Sequence, residues 1–560
     1  MNGYRLAPLT LFAIVVAAFI VLPVAVVVLN VFAPTQGTWQ HLAATVLPDY
    51  VANSLVLMAG TGAGVVLGGV ATAWLTTMCR YPGRRVFEWA LLLPMAVPAY
   101  VMAYAYTDFL QFSGPVQSLV RQATGWGPDD YWFPEIRSLG GAVLMFVFVL
   151  YPYVYLLART AFLEQSDSML EVARASGYGP WGSFTRVALP LARPGIVAGT
   201  ALALMEVLAD FGTVAYFAVP TFTTGIYSAW FSLGDHVAAA QLSAALLGFV
   251  FVVLIGERLS RKGAVFHGSA QRKRLRNVHR LRGAAAAAAT FVCALPLVLG
   301  FLLPVGILLH MAVTSGDAQF GPRYFDLTAN TLTLAGVTAL LAVALALPVA
   351  YASRSSRGAV ARTASRLAGL GYAVPGAVIA VGVLIPVTRL DHVLAAAIHA
   401  VSGHQAGLLL TGSMAALVYA YLVRFFAVAL QSVDAGIVRI TPSMDYAARS
   451  LGFTPGGTLL RVHAPLLWRS ALAAGLLVFV DVTKELPATF VMRPFNFDTL
   501  AVQAYNLAAD ERLAEASTAA LTIVAVGLMP AIILSRMMLR PRLGSRTDAD
   551  LAAPVPATVT

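Results

Sequence analysis

Long apolar runs dominate the chain, and short polar loops separate them. The runs are continuous rather than alternating, which is the pattern of membrane-crossing helices and not of barrel strands. A helix needs about 20 apolar residues to cross the hydrocarbon layer. On that measure a first set of spans falls near 9–33, 51–76, 87–110, 139–163, 191–219 and 238–257. A second set falls near 284–313, 330–353, 367–388, 406–433, 467–490 and 513–538. The pattern predicts an all-α polytopic membrane protein with about 12 transmembrane helices in two six-helix sets. The run from Leu9 to Ala33, after Arg5, is too long for a signal-peptide core and reads as a retained first span.

The loops sort by charge. Residues 34–50 and 220–237 contain no Lys or Arg. The alternate loops carry Arg80, Arg84 and Arg85, then Arg174 and Arg186, then Arg354, Arg357, Arg362 and Arg366. The stretch 258–282 is the most basic, with Arg258, Arg261, Lys262, Arg272, Lys273, Arg274, Arg276, Arg280 and Arg282. Cytoplasmic loops hold the positive charge in an inner-membrane protein, so both termini and this stretch are expected in the cytoplasm. The expected division is a first half over 1–257, a basic linker over 258–283, a second half over 284–540 and a cytoplasmic tail over 541–560. The linker's charge is explained by topology and contact with anionic lipid headgroups.

The two halves repeat. Ala52-Asn53-Ser54-Leu55 matches Ala329-Asn330-Thr331-Leu332, and Val97-Pro98 matches Val374-Pro375 at the same offset. Further on, Gly177, Pro180, Gly182, Arg186, Val187 and Pro190 match Gly452, Pro455, Gly457, Arg461, Val462 and Pro465. An even number of spans per half makes this a parallel repeat, with a pathway expected along its axis.

Composition agrees with the pattern and narrows the chemistry. Of 560 residues 59% are hydrophobic and only 11% charged, with a mean hydropathy of +0.77; a soluble domain carries about 25% charged residues. The net charge of +11 lies in the loops, so no nucleic-acid partner is expected. Cys79 and Cys293 stand far apart, at the edge of or within apolar runs, and define neither a disulfide framework nor a thiolate metal site. Lys262, Lys273 and Lys484 are the only lysines, and none sits in a phosphate-binding G-x-x-x-x-G-K context. Neither a paired-histidine metal motif nor a nucleophile elbow is present, so no catalytic residue is assigned.

One loop carries a recognisable motif. Between the fourth and fifth spans, Glu171-Val-Ala173-Arg-Ala-Ser-Gly177 is followed after nine residues by Val187-Ala-Leu189-Pro190. The second half has Tyr446-Ala447-Ala448-Arg-Ser-Leu-Gly452, then nine residues, then Val462-His463-Ala464-Pro465. Both copies resemble the EAA loop of bacterial ABC importer permeases. The second departs from it, with Tyr446 at the Glu position and Ala464 at the Leu position. The spacing suits a coupling element: residues 168–176 form a short helix, Gly177 ends it in a left-handed cap, and Pro190 opens the next span near its first turn. The resemblance implies the type I importer permease fold, two ATP-binding subunits gripping 164–190 and 439–465, and a periplasmic substrate-binding protein. ATP is then used by partner subunits, and no cofactor is expected on this chain.

Ionisable residues inside the spans are functional candidates, because a charge in the bilayer is costly. Glu206 and Asp210 are four residues apart on the fifth span, and Asp481 and Glu485 repeat that spacing on the eleventh, beside Lys484. Helical rise places them roughly 20–30 Å from the cytoplasmic span ends, in the outer half of the membrane. Two readings stand: a pathway or gate that attracts a cation, and an interhelical ion-pair network that aligns the helices. Glu206-Val-Leu-Ala-Asp210-Phe-Gly-Thr and Asp481-Val-Thr-Lys484-Glu485-Leu-Pro-Ala-Thr489, with Phe222-Thr-Thr-Gly-Ile-Tyr-Ser-Ala-Trp230 and Phe495-Asn-Phe-Asp498, resemble the fused two-half ferric-iron permeases over nearly the whole chain. That resemblance implies ferric iron as cargo. Similar fused permeases carry thiamine, so thiamine or another small cation is the alternative. A passive channel or ion-driven carrier is a rival of another class, one with no use for a duplicated cytoplasmic loop.

Other candidates carry less. Tyr100 and Tyr104, on one helix face, and Tyr151, Tyr153 and Tyr155, clustered in the fourth span, have phenolates that can bind ferric iron, but the preferred reading is interfacial anchors. His392, His399 and His404 fit no metal template. Pro94, Pro98 and Pro375 either shape the pathway or mark tolerated kinks.

Overall fold

A computed structural model of the chain describes residues 8–34, 37–165, 175–261, 279–314, 320–355, 359–403, 407–438 and 440–539. The apolar runs become helices, because only a helix pairs its own backbone groups without water. The long helices are α1 (Pro8–Leu29), α2 (Leu47–Met78), α3 (Ala99–Leu110), α4 (Leu139–Glu164), α5 (Leu189–Ala209) and α6 (His236–Arg261). The second set is α7 (Gly283–Thr314), α8 (Pro322–Ser355), α9 (Gly376–Ser402), α10 (Met414–Ile437), α11 (Ala464–Thr483) and α12 (Leu513–Leu539). Among the described residues, 11 helical stretches are long and apolar enough to cross a membrane, and a twelfth is the pair Arg84–Ala96 and Ala99–Thr124, bent by 90°.

The third span expected at 87–110 is therefore not one continuous helix. Pro98 is extended (φ −60°, ψ 145°) and starts α3 afresh, and Pro375 (φ −59°, ψ 144°) does the same for α9, which begins at Gly376 rather than 367. Proline lacks the N–H a continuing helix needs and pushes its predecessor out of helical geometry; Val97 and Val374 are both extended. The repeated Val-Pro is thus a repeated break.

The helix Arg84–Ala90 ends before the break, and two tyrosines take carbonyls left at that end. Tyr151 donates to the Leu91 carbonyl at 2.9 Å and Tyr155 to the Glu88 carbonyl at 2.9 Å. Both side chains are buried, as are Tyr100 and Tyr104. These four are therefore not interfacial anchors: Tyr151 and Tyr155 reach carbonyls and Tyr100 lines the cavity described below.

The fifth and eleventh spans also stop early. The helices end at Ala209 and Thr483, short of the expected 219 and 490, and short helices Gly212–Tyr216 and Pro487–Met492 follow.

In the first set α2, α4 and α5 pack together, and α8, α10 and α11 do so in the second. A Cβ on Gly199 of α5 would lie 2.7 Å from the Val154 Cα of α4, so only glycine permits that approach. The sets exchange their first helices. α1 packs on α8, α9 and the helix Ala359–Ala368, while α7 packs on α3 and α12. Tyr419 donates to the Phe19 carbonyl at 2.6 Å, and Tyr106 to the Leu299 carbonyl at 2.6 Å. A Cβ on Gly382 would lie 2.4 Å from the Pro23 carbonyl oxygen, which fixes how closely α1 and α9 meet.

A two-residue parallel ladder pairs β1 (Cys79–Arg80) with β2 (His279–Arg280), tying the exit of α2 to the entry of α7. Most of the basic linker, including Lys262, Arg272, Lys273, Arg274 and Arg276, lies outside the described residues, as do Arg357 and the tail 541–560. Cys79 and Cys293 are free and buried, and the Cys293 Sγ is 3.0 Å from the Tyr81 hydroxyl.

Candidate functional site

The early ends of α5 and α11 open a cavity of about 110 Å³ where the two sets meet. Glu206, Asp210, Asp481, Lys484 and Glu485 all line it, so the five ionisable candidates read from the sequence come together. Arg424, Tyr100, Tyr153 and Tyr372 complete its polar wall, and the Pro98 break borders it.

The five differ in what they do. Asp210 is not on a helical face with Glu206, because α5 has ended and Asp210 is extended (ψ 139°). Its carboxylate caps the next short helix, accepting from the N–H of Thr213 at 2.9 Å, the N–H of Val214 at 3.2 Å and the Thr213 hydroxyl at 3.1 Å. Glu485 likewise lies past the end of its helix, α11. It accepts from the N–H of Ala488 at 3.0 Å, the N–H of Thr489 at 3.1 Å and the Thr489 hydroxyl at 2.7 Å. Glu206 and Asp481 stay on their helices. Glu206 accepts from the Tyr372 hydroxyl at 3.0 Å, a contact between the sets, and Asp481 pairs with Lys484 at 3.0 Å.

Two polar side chains of the cavity escaped the sequence reading. Arg424 of α10 is buried and donates to Glu485 at 3.1 Å. The rule that flagged the carboxylates flags Arg424 as well, a charge in the middle of an apolar run. Tyr372 carried no such signal, since it sits in the short turn Gly371–Ala373 before the Pro375 break. Gly376 makes room for the ion pair: a Cβ there would lie 2.6 Å from the Arg424 Nη1 and 2.7 Å from the Glu485 Oε1.

Between the short helices after α5 and α11, aromatic rings pack across the sets. Phe211 stacks on Tyr227 at 3.7 Å, and Phe490 lies 5.8 Å from Phe211 and 5.9 Å from Tyr227. The Tyr227 hydroxyl donates to the Pro487 carbonyl.

Of the loop residues, Glu171 and Ala173 lie outside the described residues. Gly177 has φ +82° and Gly452 φ +81°, the left-handed geometry read for the helix-ending glycine. In the second copy, Ala447 and Ala448 sit on the helix Pro442–Ser450. Its end is a double cap: Gly452 donates to the Arg449 carbonyl at 2.9 Å, and Phe453 to the Ala448 carbonyl at 3.1 Å. Pro190 is the second residue of α5, in its first turn as expected, but the helix does not begin there from a loop. A helical path runs from Trp181 to Ala209 through a π-helical turn at Phe184–Ala188, with Leu189 half-buried and Pro190 exposed just after it. Pro465 follows an equivalent turn at Leu459–His463. A widened turn absorbs the proline's missing N–H and its clash with the preceding turn.

Among the described residues no three His, Cys, Asp or Glu side chains converge as a metal site. His404 lies outside the described residues.

Residues 60–262 match the family model described as a binding-protein-dependent transport system inner membrane component. The chain is 24% identical over 495 residues to the Fe(3+)-transport system permease protein FbpB 2 of Haemophilus influenzae, covering 88% of this chain and 90% of that one. It is 22% identical over 521 residues to the probable ABC transporter permease protein y4fN of Sinorhizobium fredii, covering 88% and 87%. It is 32% identical over 201 residues to the molybdenum transport system permease protein ModB of Escherichia coli, covering 34% of this chain and 84% of that one.

Proposed function

The chain belongs to the binding-protein-dependent transport system inner membrane components, and from that premise we propose that it carries ferric iron through the cavity between its two halves. It is a multi-pass inner-membrane permease of an ATP-driven importer, working with a substrate-binding protein and ATPase partners. In this reading each of two ATP-binding subunits grips one cytoplasmic loop, 164–190 or 439–465, and both termini face the cytoplasm. The chain contributes the path and no covalent chemistry; ATP is bound and hydrolysed by the partners.

The observation that carries the cargo is the cavity wall, with four carboxylates against two cations and with tyrosine hydroxyls beside them. The excess of negative charge favours a cation over an oxyanion, and oxygen donors suit a hard cation. The likeness to a relative named for Fe(3+) transport supports the same cargo. The binding protein delivers iron at the outer mouth, and ATP binding and hydrolysis rock the halves between outward- and inward-facing states. The Glu206–Tyr372 contact between the sets is then made and broken in each cycle.

A second reading, an aromatic organic cation such as thiamine, is favoured by the ring cluster of Phe211, Tyr227 and Phe490, because aromatic faces attract organic cations. The deciding experiment measures radiolabelled ferric-iron uptake in cells lacking this chain, with thiamine uptake in parallel under the same energy poisons. Loss of iron uptake alone, restored by the intact gene, is the expected result. Loss of thiamine uptake with iron uptake intact replaces the cargo and keeps the architecture.

A further inference from the structure

A carboxylate on the helix Pro442–Ser450 bonds it to the membrane helices. Asp445 Oδ2 accepts from Arg354 Nε at 3.2 Å and from its Nη2 at 3.1 Å. Asp445 Oδ1 lies 2.6 Å from the Nε2 of His463, whose ring is fully buried. A carboxylate only accepts, so that nitrogen is the donor. Arg354 ends α8 and also donates to the carbonyls of Ile437 and Ile440, at 2.7 Å each, where α10 ends. His463 belongs to the π-helical turn that leads into α11. Through Asp445 the short helix is therefore tied to α8, α10 and α11, the three helices that pack together in the second half.

The first half does not repeat the Asp and His of this link at the aligned positions. At the register that aligns Gly177 with Gly452, Asp445 corresponds to Leu170 and His463 to Ala188. The first copy keeps its acid at Glu171, the motif position, and the second has the exposed Tyr446 there. The second loop has its carboxylate one residue earlier, turned towards the bundle.

We propose that Asp445 is a positioning residue that passes displacement of the Pro442–Ser450 helix to α8, α10 and α11, so that the two loops drive their halves through different contacts. This rests on the reading that the loops receive the ATPase movement. A hydrogen-bonded clamp on three helices transmits a shift with little slack, whereas an apolar contact slides.

The test uses the complete importer, with its ATPase and binding protein, in proteoliposomes. Cargo uptake and ATP hydrolysis are both measured for Asp445→Asn, His463→Ala and the double variant. Each single change is expected to lower uptake per ATP hydrolysed by about tenfold, and the double change to lower it no further, because both remove one clamp. A role in folding alone lowers complex yield, uptake and hydrolysis together and leaves the ratio unmoved; that result overturns the proposal. Losses that multiply in the double variant overturn it as well. Where Asp445→Asn fails to assemble, His463→Ala and the charge-keeping Asp445→Glu carry the same ratio measurement. A wild-type chain that neither binds an ATPase nor moves cargo refutes the importer reading instead, so the two failures are distinguishable.

Discussion

Asp210 and Glu485 hold equivalent places in the two halves, and each caps the short helix that follows its broken span. Only Glu485 has a second duty, as the partner of Arg424 at 3.1 Å. The two positions should therefore respond differently to the same change. Asp210→Ala removes a cap and should lower stability by about 1 kcal/mol. Glu485→Ala also strands a buried guanidinium and should cost about 3–5 kcal/mol. Thermal unfolding in detergent measures the difference, and adding Arg424→Leu to Glu485→Ala should recover part of the loss. Equal losses at the two sites would mean that the ion pair adds nothing.

Glu206 and Asp481 are the carboxylates of the cavity that cap no helix. If cargo passes the cavity, they are the ones it meets. Glu206→Gln together with Asp481→Asn should cut uptake by about tenfold or more, since an interaction of a few kcal/mol with the passing cation is lost. The yield of membrane-inserted chain should stay near wild type. Uptake that is unchanged in a well-expressed double variant would assign both groups to helix alignment alone.

The fold and part of the site were legible in sequence for physical reasons. Bilayer thickness forces long apolar runs, so the count of spans and the clustering of Glu206, Asp210, Asp481, Lys484 and Glu485 followed from hydropathy and repeat spacing. The breaks did not. Hydropathy continues through Val97-Pro98 and past Ala209 and Thr483, and it is the backbone at the prolines and the caps at Asp210 and Glu485 that end the helices. The exchange of α1 and α7 between the sets left no local signal, because apolar surface does not state its partner. Arg424 was visible by the charge rule; Tyr372 was visible only once the break before α9 placed it at Glu206.

Tyr151 and Tyr155 offer a test of the broken third span. Each hydroxyl satisfies a carbonyl left free where the helix Arg84–Ala90 ends within that span, at Leu91 and at Glu88. Tyr151→Phe keeps the ring and removes the donor, so it should cost about 1–3 kcal/mol, the penalty of a buried acceptor left alone. Tyr100→Phe, whose hydroxyl makes a longer 3.4 Å bond at the cavity, should cost less. Unfolding midpoints of the two variants in the same detergent decide the order.

Gly177 and Gly452 test the cytoplasmic loops with the least disturbance elsewhere. Both are left-handed, and a Cβ added at either would meet no atom within 4 Å. A substitution there acts through the backbone alone, at about 1–2 kcal/mol for an L side chain in that region, and more for a β-branched one. Gly452→Val should therefore unwind the double cap that ends Pro442–Ser450, while the membrane helices insert as before. Gly177→Val should act in the same way on the first loop. Uptake should fall sharply in both, and Gly452→Asn, which tolerates the left-handed region, should retain most of it. The measurement is uptake per inserted chain, with co-purified ATPase quantified beside it. Valine variants that keep both uptake and ATPase would remove these glycines from the coupling path, and the loops would then act through their side-chain contacts rather than through the geometry of the cap.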